Sequence, residues 1–121
     1  MQYALLIYET EADLEIRRDP EAHVPVAAAY KAFTDALAKA GAMRGGEALD
    51  LPETATTLVA APSKPLVQDG PFADTKEKLG GIIVIEAANL DEAMKWAEQC
   101  PAAQKGKVEI RPVVPGTQAQ Q

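Results

Sequence analysis

Residues 80–100 read GGIIVIEAANLDEAMKWAEQC, and this stretch decides the fold class of the chain. The β-branched run at residues 82–85 follows two glycines and predicts the strongest strand of the sequence. Asn89 is a favourable N-cap and Glu92 stands three residues later, so a helix is predicted over residues 90–99. Pro101 ends that helix, because the residue before a proline disfavours helical backbone.

The same strand-then-helix order begins the chain. Residues 2–9, QYALLIYE, carry apolar side chains on both faces of an extended backbone, which predicts a central strand. A helical stripe of apolar residues predicts the main helix over residues 25–40, and Gly41 ends it. Further strands are predicted at residues 43–49, 56–61, 66–68 and 107–114, the middle two as a hairpin.

The predicted order of elements is β-α-β-(β-hairpin)-β-α-β. It favours an α+β domain with a ferredoxin-like βαββαβ fold and an inserted β-hairpin, whose helices cover one face of a four-stranded sheet. The strands are apolar on both faces, and no element is left to cover the second face. A second copy packing sheet against sheet is the simplest cover, so a homodimer is predicted. The domain is expected to span residues 1–114, followed by a flexible tail at residues 115–121.

Composition excludes several classes of protein. The 121 residues suffice for one domain, and 47% hydrophobic with 25% charged residues is average for a soluble globular protein. The net charge is -6 and the basic residues are scattered, which argues against nucleic-acid binding. One cysteine and one histidine exclude an internal disulfide framework and the usual structural zinc sets, and no metal or cofactor is predicted. No apolar run approaches a membrane span and the N-terminus has no basic leader, so a cytoplasmic location is expected.

The most concentrated group of polar residues lies in the loop DGPFADTKE, which begins at Asp69 and ends at Glu77. These two carboxylates are the candidate catalytic residues, since either would act as a general base if burial raised its pKa. Phe72, Thr75 and Lys76 are candidate ligand-binding residues of the same loop. A structural alternative stays open, because Asp-Gly-Pro is also an ordinary turn sequence.

Three further candidates for ligand binding lie outside this loop: Tyr8, Tyr30 and Arg111. The two tyrosines would present phenol groups to a shared cavity, or they are core aromatics with satisfied hydroxyls. Arg111 shares a predicted strand face with Glu109, so it either forms an ion pair or binds an anion.

Other chemistry-bearing residues are interpreted as structural. His23 lies in a charged segment and is expected to be exposed. Cys100 is expected to be a buried, inert thiol, because no base adjoins it. The acidic residues between Glu9 and Glu21 are expected to form a solvated segment rather than a metal site.

The loop also carries the most specific motif of the chain. The run DGPFADTKE, followed by Leu-Gly-Gly at residues 79–81, resembles the signature of the DGPF proteins within the broader YCII-related family. That family has glutamate where this chain has Asp74. Segments in matching order elsewhere extend the resemblance over nearly the whole chain: YALLIYE, AAYKAFTDAL, GGEAL, LDEAMKWAEQCP and VEIRPV.

This resemblance implies a ferredoxin-like subunit that pairs as a dimeric α/β barrel. It implies no particular reaction, because the DGPF branch has no settled activity and many members are similar to proteins encoded beside extracytoplasmic-function sigma factors. Some other YCII-related proteins carry a histidine–aspartate pair proposed as catalytic, with the histidine on the first helix. That position corresponds here more nearly to Tyr30 than to His23, so the pair is expected to be absent.

Two functions stay open on the sequence. The first is a small-molecule-binding protein or cofactor-independent acid–base enzyme, lyase-like or isomerase-like, with its site near the DGPF loop. The alternative is a non-catalytic accessory or regulatory protein associated with an extracytoplasmic-function sigma factor. The fold alone does not separate them, because one fold hosts many functions.

Overall fold

The computed structural model describes residues 1–72 and 75–116 of the chain. The strands in these residues are β1 (Gln2–Glu9), β2 (Met43–Ala48), β3 (Thr56–Val59), β4 (Leu66–Asp69), β5 (Lys78–Glu86) and β6 (Lys107–Pro112). The helices are α1 (Glu11–Arg18), α2 (Pro20–Lys39) and α3 (Leu90–Glu98), and short 3₁₀ turns lie at Pro52–Thr54 and Pro101–Gln104.

Four of the strands form one antiparallel sheet in the order β2-β5-β1-β6, and β3 pairs with β4 as a separate hairpin. The central strands are therefore β1 and β5. The edge strands are β2, which follows α2, and β6, which follows α3. This order, with helices on one face, confirms the ferredoxin-like α+β fold and the inserted hairpin that the sequence predicts.

The two faces of the sheet have different surroundings. On β1, Tyr3, Leu5 and Ile7 are buried beneath the helices, and Leu5 has no exposed surface. The alternate residues Ala4 and Leu6 are only half-buried, because they lie on the face opposite the helices. We call that second face the open sheet face.

Small side chains let α3 approach the sheet closely. Ala93 and Ala97 are buried along one side of this helix, behind an N-cap in which the Asn89 side chain accepts from the Glu92 amide at 2.9 Å. Cys100 follows the helix with no exposed surface, which confirms the buried thiol expected there.

The first helix, α1, lies in a segment for which the sequence analysis predicts solvated acidic residues but no helix, and Glu11 and Glu15 are exposed as expected. α1 begins with a capping box: Thr10 Oγ1 accepts from the Asp13 amide at 3.2 Å, and the Asp13 carboxylate accepts from the Thr10 amide at 2.9 Å. Leu14, 2% exposed, anchors the helix to the core.

The second helix begins at Pro20, five residues before the predicted start. The Asp19 carboxylate accepts from the amides of Glu21 and Ala22, at 3.0 and 3.4 Å. Proline suits the first helical position, where an amide hydrogen would be unpaired in any case. Pro25 therefore lies inside the helix, where it forgoes one backbone hydrogen bond.

Two of the sequence predictions fall on residues that are not described. Asp74 of the DGPF motif lies outside the described residues, and so do residues 117–121 of the expected tail. Within residues 1–72 and 75–116, no helix is both long enough and apolar enough to cross a membrane.

Candidate functional site

An ion pair joins the end of β1 to the inner side of α1. Arg17 Nη1 donates to Glu9 Oε1 at 2.6 Å, and the two side chains are only 18% and 15% exposed. Arg17 also donates to the Leu49 carbonyl through its second terminal nitrogen. Burial raises the pKa of Glu9 above its usual value, although Arg17 acts in the opposite direction.

The glycine that follows the DGPF loop makes room for this carboxylate. β1 and β5 shift register between Ile7 and Tyr8, so that Ile7 faces Gly81 and Tyr8 faces Leu79. Gly80 is the extra residue of that bulge. A Cβ atom on Gly80 would lie 1.8 Å from Glu9 Oε1, so the Glu9 carboxylate occupies the space where any other residue would place its side chain.

Two clefts open on either side of the ion pair. The α1 cleft, of about 650 Å³, lies between α1, α2 and the Pro101–Gln104 turn. The β2 cleft, of about 480 Å³, lies between α2 and the strands β2 and β5. Both volumes are in the range of small-molecule sites. Both clefts are lined by Glu9, Arg17, Val26 and Tyr30.

Tyr8 lines the α1 cleft, whereas Tyr30 lines both clefts. Burial is the main cause that raises the pKa of the Tyr30 phenol, and the neighbouring Cys100 thiol, with which its hydroxyl interacts, acts in the same direction. Tyr30 therefore stays protonated at neutral pH and is able to donate a hydrogen bond. Burial likewise raises the pKa of Cys100, so this thiol is not an activated nucleophile.

His23 is less exposed than the sequence predicts. It lies on α2 and lines the β2 cleft with Glu9 and Arg17. Its Nδ1 atom is buried and has no hydrogen-bond partner in the described part of the chain. Because buried polar atoms nearly always have a partner, this unpaired nitrogen is unusual, and a molecule in the cleft would reach it only after the imidazole ring turns.

These groups form a set suited to acid–base chemistry. Glu9 has a pKa raised toward neutrality and can accept or return a proton. Tyr30 can donate a hydrogen bond, and the Arg17 guanidinium can stabilise negative charge. Among residues 1–72 and 75–116, no three His, Cys, Asp or Glu side chains are grouped so that they could hold a metal ion.

Three of the sequence-predicted site residues lie on or beside the open sheet face. The Tyr8 hydroxyl donates to Glu109 Oε1 at 3.2 Å, and Arg111 pairs with the same glutamate. Lys107 Nζ lies 3.0 Å from Glu77 Oε1 and lowers the pKa of that carboxyl group. A lowered pKa weakens a carboxylate as a base, which works against the catalytic role expected for Glu77.

The remaining loop candidates do not meet in a cavity. Asp69 ends β4 as an exposed residue, and the Phe72 side chain is 78% exposed. Thr75 donates to the Glu77 carbonyl, and Lys76 is exposed. Neither the α1 cleft nor the β2 cleft is lined by residues 69–72 or 75–77. Two of the candidates, Tyr8 and Tyr30, therefore line the α1 cleft together, whereas Arg111 and the described loop candidates line neither cleft.

Sequence reasoning did not predict that Glu9, Arg17 and His23 line a cleft. A signal for Arg17 exists in the pattern Thr10-x-x-Asp13, because this capping box predicts α1 and places Arg17 one turn after Leu14 on the buried side. No local signal marks Glu9, whose partner and surroundings come from other elements.

Fold and site together define a ferredoxin-like α+β domain with a polar cluster between its helices and its sheet. The family model of the YCII-related domain matches residues 1–117, so the chain belongs to the YCII-related family.

The proteins similar to this chain include a curated relative and a solved structure. An uncharacterized protein of Rhizobium meliloti is 43% identical over 61 residues, which cover 49% of either protein, so the match spans about half the length of that relative. The solved structure is 5-chloro-2-hydroxyhydroquinone dehydrochlorinase (TftG) from Burkholderia phenoliruptrix AC1100, in complex with 2,5-dihydroxybenzoquinone. It aligns over 98% of both chains with a TM-score of 0.56 and 17% sequence identity, which supports the shared fold.

Proposed function

We propose that this protein binds a small organic molecule in the clefts around Glu9 and acts on it by acid–base chemistry that needs no cofactor. The observation that carries the proposal is the half-buried Glu9 carboxylate, which faces both clefts and has a raised pKa although Arg17 contacts it. Glu9 would exchange a proton with the substrate. Arg17 would stabilise the negative charge that results, and Tyr30 and His23 would hold the substrate by hydrogen bonds.

The reaction class we favour is that of a lyase or an isomerase, because both depend on removing and returning a proton. The similarity to TftG is compatible with this choice, since TftG is named a dehydrochlorinase and was solved with a small cyclic compound. That similarity extends to the fold, and the substrate of this chain is inferred from its own clefts.

The homodimer belongs to the same proposal. Leu6 faces Ile82 and Ala4 faces Val84 across β1 and β5, and all four are half-buried on the open sheet face. A layer of apolar side chains left partly in water favours a second copy as its cover. Pairing of two such sheets would produce the dimeric α/β barrel expected from the family resemblance.

The loop from Asp69 to Glu77 is the alternative location for the ligand. Its support is that Asp69, Phe72 and Lys76 are exposed and thus accessible to a bound molecule or to a protein. Two exposed apolar side chains favour protein contact instead: Leu58 of the hairpin, at 65% exposure, and Phe72 of the loop, at 78%. These side chains support the alternative function, that of a non-catalytic accessory protein associated with a sigma factor.

One NMR titration decides between these locations, with 2,5-dihydroxybenzoquinone as the probe. We expect shifts at residues lining the clefts, and the substitutions Tyr30→Phe and His23→Gln should each weaken binding by about tenfold, the value of one lost hydrogen bond in a buried site. The matched control is Tyr3→Phe, which alters a buried tyrosine outside both clefts.

The loop substitutions Asp69→Ala and Glu77→Ala are expected to leave the affinity unchanged. If these two abolish binding while Tyr30→Phe and His23→Gln retain it, the site lies in the loop and the cleft proposal is wrong. If the probe shifts no cleft residue in the wild type, the accessory role becomes the better explanation, and capture of a sigma factor in stoichiometric amount would support it.

A further inference from the structure

We propose that the ligand of these clefts is a small organic anion with an apolar body, and that Glu9 occupies the place of that anion on Arg17 until the ligand arrives. This inference rests on the proposed function, because it concerns the same clefts. It goes further in naming the charge of the ligand and the residue that competes with it.

Arg17 is built as an anion-binding group. Its guanidinium lines both clefts and is largely shielded from water, with 18% of the side chain exposed. A guanidinium in such surroundings binds a carboxylate, phenolate or similar anion strongly, because water competes weakly for its donors. The contact with the Leu49 carbonyl orients it and leaves the Glu9 side to be exchanged.

Glu9 is a poor permanent partner for this arginine. The contact is made through a single oxygen, at 2.6 Å, and not through both carboxylate oxygens. The Glu9 side chain is only 15% exposed, so its charge is costly to keep there. Its position depends on the missing side chain of Gly80, whose added Cβ would also lie 2.4 Å from Glu9 Cδ. An incoming anion would therefore compete with a carboxylate that Arg17 holds through one hydrogen bond.

The rest of the β2 cleft is suited to an apolar body. Its walls include Ile7, Val26, Ala27, Ala48 and Ile83. A molecule that places a charged group on Arg17 and a ring or short chain against these walls would satisfy both kinds of surface. His23 lines the same cleft, and its unpaired Nδ1 would add a polar contact once the ring turns toward the ligand.

Benzoate tests the inference, with benzyl alcohol as the neutral analogue of the same shape. Two substitutions release Arg17 by different means: Glu9→Gln removes the competing charge, and Gly80→Ala displaces the carboxylate. Each is expected to tighten benzoate binding by about tenfold, as the loss of an internal charged competitor implies, and to leave benzyl alcohol unchanged. Arg17→Gln is expected to abolish benzoate binding.

The matched control is Asp35→Asn, which opens the exposed Lys31–Asp35 pair on α2 and leaves the clefts intact. Affinities are measured by calorimetry, and circular dichroism checks that each variant is folded. If Arg17→Gln does not fold, Glu9→Gln and Gly80→Ala still carry the test.

Benzoate binding that weakens or stays constant in both releasing variants overturns the anion inference. If benzyl alcohol then binds in the clefts, the proposed small-molecule site survives without it. If neither compound nor 2,5-dihydroxybenzoquinone perturbs any cleft residue, the proposed function is overturned as well.

Discussion

Glutamates of this chain differ in chemistry because their surroundings differ. Glu9 is enclosed by β1, α1 and the Gly80 bulge, and burial raises its pKa despite the adjacent arginine. Glu109 is held by Arg111 and by the Tyr8 hydroxyl, and these contacts lower its pKa. The same side chain is thus a candidate base at position 9 and a structural partner at position 109.

Replacement of Glu9 by glutamine is expected to change how stability depends on pH. The folded pKa of Glu9 lies above the unfolded value of 4.5, so this group stabilises the fold below pH 4.5 and loses that contribution as the pH rises through the folded pKa. Glutamine does not titrate. The unfolding free energy of Glu9→Gln minus that of the wild type should therefore rise with pH above 4.5 and then level off.

Urea unfolding at a series of pH values from about 4 to 8 measures this difference, with the exposed Glu98→Gln as the control for the substitution itself. A difference that is constant over the series, or that falls as the pH rises, would contradict the account of Glu9.

At the scale of elements, one residue links the two N-terminal helices. Asp19 ends α1, where its amide donates to the Ile16 carbonyl at 3.1 Å, and its side chain caps α2. The geometry of α1 against α2 depends on this junction. α1 carries Arg17, and α2 carries Tyr30 and His23, so the arrangement of the clefts depends on it too.

Loss of this cap is expected to destabilise the protein. Asp19→Ala should lower the unfolding free energy by about 1 kcal/mol, since two amides at the start of α2 lose their acceptor. Asp35→Ala, which removes only an exposed ion pair of the same helix, should cost a few tenths of that value or less. Chemical unfolding compares the two, and equal losses would show that the cap adds nothing.

At the scale of the whole molecule, the sheet has one covered and one open face. Helices bury Tyr3, Leu5 and Ile83 on the first face, whereas Leu6 and Val84 on the second remain half-buried in a single copy. The proposed homodimer would remove these side chains from water.

A lysine in the open sheet face is expected to prevent pairing. Leu6→Lys and Val84→Lys should each give a monomer, because pairing of two copies would bury positive charges that face each other. The control is Ala38→Lys, which places the same charge on the exposed surface of α2. Sedimentation velocity at micromolar concentration measures the oligomeric state of each variant. A wild-type protein that sediments as a monomer would contradict the proposed homodimer.

Prediction from the sequence succeeded where the pattern is local. The short apolar run in residues 2–9 and the β-branched run and capped helix of residues 82–99 correctly placed β1, β5 and α3, because these signals lie within each element. It failed for α1, because the charged residues of this segment were interpreted as solvated chain, although the Thr10–Asp13 capping box marks the start of a helix. Sequence analysis also placed the candidate catalytic residues in the loop from Asp69 to Glu77, because polar residues that are close in sequence were the available sign of a binding site.

The sequence by itself determined the ferredoxin-like fold and the YCII-related family, since both depend on the order and the pattern of residues along the chain. Only the tertiary structure decided that Glu9 meets Arg17 above Gly80, between two clefts. These residues belong to β1, α1 and β5, and the pKa of Glu9 is set by the burial that arises when the three elements pack together.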